Sequence, residues 1–371
     1  MVKIKVLHLT FDMRIGGTEQ VIRNLVENAD NEHFDNSILC IESPLGPFAD
    51  DLLAKGITIT ALSRTPGFDY KLINQIRTYI KQHSIDILHC HQYTPWVYGV
   101  LAAFGIKTKV VFTEHGRFYP DSSTWKRKLI NPWLHKITAA TTAISSATRD
   151  ALAIYENLPK KDIQVIYNGI SPLKIDPDKV EKLRNKLGIS TSALCLGTVA
   201  RLDPIKNHDM MLRAFKQVLD SGIDAYLLIV GNGEMREHIE NLIEELAIQQ
   251  KVILTGYISA PKHHLALMDI YLLSSLSEGT SMTLLEAMSI GKPCVVTDAG
   301  GNAEIIKQQI NGLVTPNNDG NLFADAIITI SKDSRLRGCM GSKSRKRFQQ
   351  QFSADAMVDK FQVLYKKITL N

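Results

Sequence analysis

Two glutamates flank a small-residue turn within the stretch Ser274-Ser-Leu-Ser-Glu278-Gly279-Thr280-Ser281-Met-Thr-Leu-Leu-Glu286-Ala-Met-Ser-Ile-Gly291-Lys-Pro293. Its small residues, Gly279, Thr280 and Ser281, form a turn that feeds a short apolar helix. Such a turn offers backbone N–H groups to an anion at the helix N-terminus. From that helix Glu286 can reach a sugar hydroxyl. Glu278, ahead of it, can face whatever the phosphates carry. Phosphate binding by neutral groups beside two carboxylates suits a nucleotide sugar better than bare phosphate. A capped helix with two surface acids accounts for the same spacing.

A second group precedes it, in Gly197-Thr-Val-Ala-Arg201-Leu-Asp-Pro204-Ile-Lys206-Asn207-His208. Arg201 leaves the end of a strand and Lys206 follows a Pro-containing turn. Arg as a fork and Lys as a point charge can clamp a diphosphate and so replace a divalent metal. Surface ion pairing is the alternative. Gly231-Asn-Gly233-Glu234 and Thr255-Gly256-Tyr257-Ile258 sit at further strand ends, where ordinary turns also occur. Gly300-Gly301-Asn302-Ala-Glu304 reads equally as a capped helix start. Near the N-terminus, Gly16-Gly17-Thr18-Glu19 follows the first strand. Its glycines allow close backbone approach, and Thr18 can cap the next helix. The stretch is not G-x-G-x-x-G, so a dinucleotide cofactor is poorly supported.

His115-Gly116-Arg117 lies just past the apolar strand that opens Val110-Val-Phe-Thr113. His89-Cys90-His91 carries little information by itself. No Cys/His/Asp set has zinc spacing, and no D-x-D stands at a strand end, so no metal is expected. Asp269 reads as a residue that shapes the loop before Glu278.

Elements that place these residues follow from periodicity. Strands are predicted over 3–10, 37–41, 58–61, 85–89, 110–113, 140–144 and 164–167, with amphipathic segments such as 19–27 and 70–82 between them. Residues 168–177 carry turn residues without apolar periodicity and read as a linker. The pattern then restarts at 194–200, 226–230, 251–254, 270–273, 294–297 and 313–314. A final helix covers 354–368, with Met357, Val358, Phe361, Leu364 and Tyr365 on one face. Two βα series predict two Rossmann-like, doubly wound parallel-sheet domains, which bind ligands at strand C-termini.

The chain has 371 residues, enough for two domains. A formal charge of +5 and 22% charged residues describe a soluble globular chain with no nucleic-acid-binding signature. Five scattered cysteines without C-x-x-C suit a reducing cytoplasm, and three of them read as core fillers. No signal peptide or membrane-length apolar run is seen, so any membrane contact is expected to be peripheral, at the inner face. The segment Trp125-Lys126-Arg127-Lys128-Leu129-Ile130 through Trp133-Leu134-His135-Lys136 has a composition for weak contact with anionic lipid. Pro132 is expected to weaken its helix.

The Glu278-to-Glu286 spacing resembles the E-x7-E signature of the retaining family-4 glycosyltransferases, enzymes of the GT-B fold. Arg201 and Lys206 match that family's R-x4-K donor clamp, and the likeness runs along essentially the whole chain. The resemblance implies two domains facing across a cleft. Residues 1–170, with a last helix 354–371 packing back, would take the acceptor, and 171–353 the donor. Donor-binding residues would be Gly16, Gly17, Arg201, Lys206, Gly231, Tyr257, Ile258, Glu278, Gly279, Thr280, Ser281 and Glu286. His115, Glu278, Arg201 and Lys206 would act in catalysis, with His115 near the reacting centre. The implied reaction moves a hexosyl unit, with retention, from a nucleoside-diphosphate sugar to a saccharide or lipid-linked hydroxyl. No cofactor is implied, and a UDP-sugar is expected ahead of a GDP-sugar. Thr280-Ser281 stands where the family often has a bulky residue, which leaves the sugar open. A GT-B sugar-nucleotide epimerase, or a non-catalytic nucleotide-sugar-binding protein, is the alternative.

Overall fold

Apolar runs rich in Val, Ile and Leu become central parallel strands because helices cover both faces of such sheets. The computed structural model describes residues 3–116 and 123–370, so Arg117 lies outside the described residues. The chain divides into two units, Met1–Ser171 with Ser353–Asn371, and Pro172–Phe352.

Unit 1 holds strands β1 (Ile4–Thr10), β2 (Phe34–Cys40), β3 (Thr58–Ala61), β4 (Ile87–His91), β5 (Lys109–Glu114), β6 (Ala140–Ala143) and β7 (Ile163–Val165). They form one parallel sheet in the order β3-β2-β1-β4-β5-β6-β7. The chain winds outward from β1 to β3, then returns to the other side of β1 as β4. That reversal is a topological switch point, where open α/β sheets leave a crevice beyond the strand C-termini. The last helix, Ala354–Leu370, packs on this unit: Ala354 N donates to Ile170 O at 2.9 Å, and Phe34 lies edge-on to Tyr365.

Unit 2 repeats the plan with β8 (Leu194–Val199), β9 (Ala225–Val230), β10 (Val252–Leu254), β11 (Ile270–Leu273), β12 (Cys294–Thr297) and β13 (Gly312–Thr315). Their order is β10-β9-β8-β11-β12-β13, so the switch point falls between β8 and β11. One apolar core, including Leu196, Phe215, Leu227, Ile239, Leu272 and Phe323, fixes the helices onto this sheet. Cys40, Cys90, Cys195 and Cys294 are buried, and Cys339 is exposed.

Three local readings are corrected. Thr18 does not cap its helix, which begins at Gly17 with Gly16 as the cap residue and no side-chain cap bond. Thr18 is instead buried in the first turn, where its Oγ1 accepts from Gln92 Nε2 at 3.1 Å. Pro132 does not interrupt the helix Trp125–Lys136. A proline there frees the Lys128 carbonyl, and Asn157 Nδ2 donates to that oxygen at 3.1 Å. Asp269 lies at the opposite end of β11 from Glu278, where its Oδ2 accepts from Cys195 N at 2.8 Å and ties β11 to β8.

Candidate active site

Lys206 follows β8 and Glu278 follows β11, so the adjacency of these strands brings together residues far apart in sequence. Lys206 Nζ stands 2.7 Å from Glu278 Oε1, with the side chains 19% and 9% exposed. Ser275 Oγ donates to the same oxygen at 2.6 Å. The backbone is tied as well: Leu276 N donates to Ile205 O, and Ser274 Oγ to Lys206 O, both at 2.8 Å. Thr297 Oγ1 donates to Ser275 O at 2.6 Å. A largely desolvated cation held this way costs little reorganisation when an anion arrives.

The segment after Glu278 continues into the helix Met282–Ser289, capped by Ser281 Oγ accepting from Leu284 N. Gly279, Thr280 and Ser281 thus lead to the helix N-terminus that the sequence assigns them. Gly300 closes the arrangement from the β12 side with φ +55°, and a Cβ there would lie 1.8 Å from Glu278 O. Only glycine allows that approach. Gly231, at the end of β9 with φ +154°, is held in the same way, since a Cβ would lie 1.8 Å from Ala200 O. Tyr257 is exposed and Ile258 partly buried, beyond the neighbouring β10.

Glu286 is partly buried, and no ion pair reaches it among the described residues. Burial pushes its carboxyl from 4.5 up to about 7. A group in that state gains most when hydroxyl donors arrive to solvate its charge.

Arg201 departs from the expected clamp. Its side chain is 81% exposed and pairs with Asp203 Oδ2 at 2.9 Å, not with the Lys206–Glu278 pair.

In unit 1, Gly16 and Gly17 follow β1, and His115 follows β5. His115 does not stand alone, and this escapes reading along the chain. His8 on β1 lies opposite His89 on β4 in register, and His91 lies opposite Thr113 on β5. His8 Nδ1 and His91 Nε2 are 3.0 Å apart, and His91 Nδ1 and His115 Nε2 are 2.8 Å apart. His89 belongs to a separate chain, within 2.6 Å of both Tyr365 OH and Thr113 Oγ1. His8, His89 and His91 bring one ring nitrogen each within 4.8 Å of one another, a metal-ligand-like cluster that sequence spacing does not reveal. Every nitrogen of these three rings already has a hydrogen-bonding partner.

Comparison with known proteins places the chain in a family. The family described as Glycosyltransferase Family 4 matches residues 15–172. Glycosyl transferases group 1 matches 179–347. An Escherichia coli UDP-Gal:alpha-D-GlcNAc-diphosphoundecaprenol alpha-1,3-galactosyltransferase is 28% identical, covering 100% of this chain and 98% of the relative. The N-acetyl-alpha-D-glucosaminyl L-malate synthase of Bacillus anthracis is also 28% identical, over 94% of this chain and 92% of its own. Among solved structures, Anabaena HepE in complex with UDP superposes with a TM-score of 0.87 at 20% identity, covering 98% of this chain and 100% of that one. The fold is GT-B, and the chain belongs to the family-4 glycosyltransferases.

Proposed function

We propose that this enzyme transfers a hexosyl unit from a nucleoside-diphosphate sugar, a UDP-sugar ahead of a GDP-sugar, to a hydroxyl of a saccharide or lipid-linked saccharide in cell-surface glycan synthesis. Transfer retains the anomeric configuration and uses no metal ion. The observation that carries this reading is the Lys206–Glu278 pair at the switch point of unit 2. The donor diphosphate and Glu278 are two anions that compete for one cation. When the diphosphate takes Lys206, the Glu278 carboxylate is released toward the sugar. As the glycosidic bond breaks, charge grows on the diphosphate. Lys206 and the N–H groups of the turn at Gly279, Thr280 and Ser281 stabilise it there. Arg201 adds its charge by turning from Asp203 to the phosphates, as an exposed guanidinium can. Glu286 holds the ribose hydroxyls, Gly231, Tyr257 and Ile258 the nucleobase side, and Gly16 and Gly17 the donor diphosphate or the acceptor. His115 meets the sugar near its reacting carbon. A departing phosphate oxygen takes the acceptor proton, so transfer occurs on the face that the leaving group vacates. Support comes from HepE, also solved with UDP-glucose, and from the named donor and lipid-linked acceptor of the E. coli relative.

A thermal-shift panel of nucleotide sugars tests the donor assignment. One UDP-sugar should raise Tm in the wild type and by much less in Glu286→Ala, whose ribose contact is made in the ground state. Equal shifts in both proteins would overturn it.

The acceptor is reached at an anionic membrane surface. No helix among the described residues is long and apolar enough to cross a membrane. The helix Trp125–Lys136, however, turns its apolar side outward: Trp125, Leu129 and Trp133 are 72%, 71% and 47% exposed. Two of its polar residues face inward, Asn131 buried and Arg127 stacked on Tyr93 and paired with Glu156 at 3.0 Å, while Lys126, Lys128 and Lys136 are exposed. Arg127 is thus an anchor of the fold, and Lys126, Lys128 and Lys136 are left for lipid headgroups. Wild-type protein should float with anionic vesicles at low salt. A Trp125→Ala/Leu129→Ala/Trp133→Ala variant should stay in the pellet at unchanged Tm. Equal flotation of the two would remove this surface from the reading.

A further inference from the structure

We propose that Asn36, His8 and His91 are positioning residues that hold His115 as its Nε2–H tautomer, so that His115 Nδ1 presents a lone pair to a hydroxyl of the donor sugar. The second half rests on the reading of His115 given above.

The hydrogen-bond chain is continuous and has one direction once its inner end is set. Asn36 Oδ1 lies 3.1 Å from His8 Nε2. A carbonyl oxygen only accepts, so His8 carries its proton on Nε2 and its Nδ1 is an acceptor. His91 must then donate from Nε2 across 3.0 Å, which leaves His91 Nδ1 to accept. His115 must in turn donate from Nε2 across 2.8 Å. Its Nδ1 remains a lone pair, buried and without a partner among the described residues. One neutral imidazole fixes the next because each has one donor and one acceptor nitrogen.

The inner end is built to keep that direction. The amide nitrogen of Asn36 has no partner among the described residues and, with His8, Gln362 and Tyr365, borders a cavity of about 10 Å³. Gln362 Nε2 is likewise unpartnered. A cavity of ~10–15 Å³ holds a single water, and one water oxygen can accept from both amides. In this proposal that water accepts from both amides, which leaves the Asn36 carbonyl toward His8.

The parallel chain through His89 runs separately. Thr142 donates to Phe112 O, Thr113 to Thr142, His89 Nε2 to Thr113, and Tyr365 OH to His89 Nδ1. Ending on a backbone carbonyl, it has a single polarity and does not disturb the first. Burial also lowers His8 to about 4 and His115 to about 3, and holds His91 well below its ordinary value. The relay is neutral at working pH.

Two-bond ¹H–¹⁵N correlation spectra of the ¹⁵N-histidine-labelled full chain test this without substrate. Wild-type His115 should carry its proton on Nε2, and a proton on Nδ1 would overturn the proposal. Asn36→Asp gives a sharper result. A carboxylate there stabilises protonated His8, both of whose nitrogens then donate, so the His8–His91 and His91–His115 bonds reverse. The titratable groups facing His8 are His89 and His91 from β4 and Tyr365 from the last helix. Asn36→Asp should move the His115 proton to Nδ1 and lower kcat by roughly 5- to 10-fold, the factor one ordinary hydrogen bond carries, with KM for the acceptor unchanged. Activity should return as pH rises and His8 loses its added proton. An unmoved His115 tautomer in a folded Asn36→Asp protein would overturn the relay. Wild-type kcat in His115→Ala, with the tautomers as stated, would instead remove His115 as a donor contact.

Discussion

Lys206→Ala is expected to lower kcat by ~10²–10³, the usual cost of removing one preorganised group that stabilises charge in the transition state. The loss should fall on kcat more than on KM, because the charge that Lys206 meets is largest when the glycosidic bond is breaking. The substitution also leaves the Glu278 carboxylate without its cation, its side chain 9% exposed and accepting only from Ser275 among the described residues. Glu278→Gln keeps the shape and should depress turnover more than donor binding. Arg201→Ala should lose less than Lys206→Ala, since its side chain begins 81% exposed and is screened by water. Steady-state kinetics of the three variants check this order. Equal losses for Arg201→Ala and Lys206→Ala would give the two cations the same role.

Glu286→Gln should stabilise the protein at pH 8 while weakening donor binding. Burial raises the Glu286 pKa from 4.5 to about 7 in the folded state. Below pH 4.5 the group is protonated in both states and contributes nothing. Between these values the unfolded chain loses a proton that the folded chain keeps, so stability falls as pH rises. Above about 7 the full cost is in place. A shift of this size corresponds to at most ~3 kcal/mol, and about 2 kcal/mol after allowance for partial exposure. Thermal melts at pH 4 and pH 8 check it. The variant should match wild type at the lower pH and exceed it at the higher one. Melts that differ by the same amount at both would exclude ionisation of Glu286 as the cause. Donor affinity of the wild type should rise through pH 7, as the carboxylate forms.

What could be read from the chain was set by contiguity. The strand segments declare themselves because both faces of a parallel sheet are buried, which leaves unbroken apolar runs such as Ala225–Val230. Lys206 and Glu278 each sit in a local motif, so both ends of their pair are legible, although the 2.7 Å contact depends on β8 lying beside β11. The histidine relay has no such local mark. His8, Asn36, His91 and His115 come from β1, β2, β4 and the end of β5, and only the sheet order makes them neighbours. His89-Cys90-His91 read along the chain is therefore uninformative, because His89 and His91 serve different hydrogen-bond chains. The Asp203 partner of Arg201 and the unbroken helix at Pro132 escape the chain for a related reason: Asp203 and Asn157 act through side-chain contacts that no periodicity encodes.

Release of UDP by the purified full chain in EDTA, with and without a lipid-linked saccharide acceptor, tests the central claim most directly. UDP should appear only when both the cognate UDP-sugar and the acceptor are present, at a rate that EDTA leaves unchanged and that Lys206→Ala nearly abolishes. UDP release without acceptor, a strict need for a divalent ion, or full activity in Lys206→Ala would contradict a metal-independent transfer driven by the Lys206–Glu278 site.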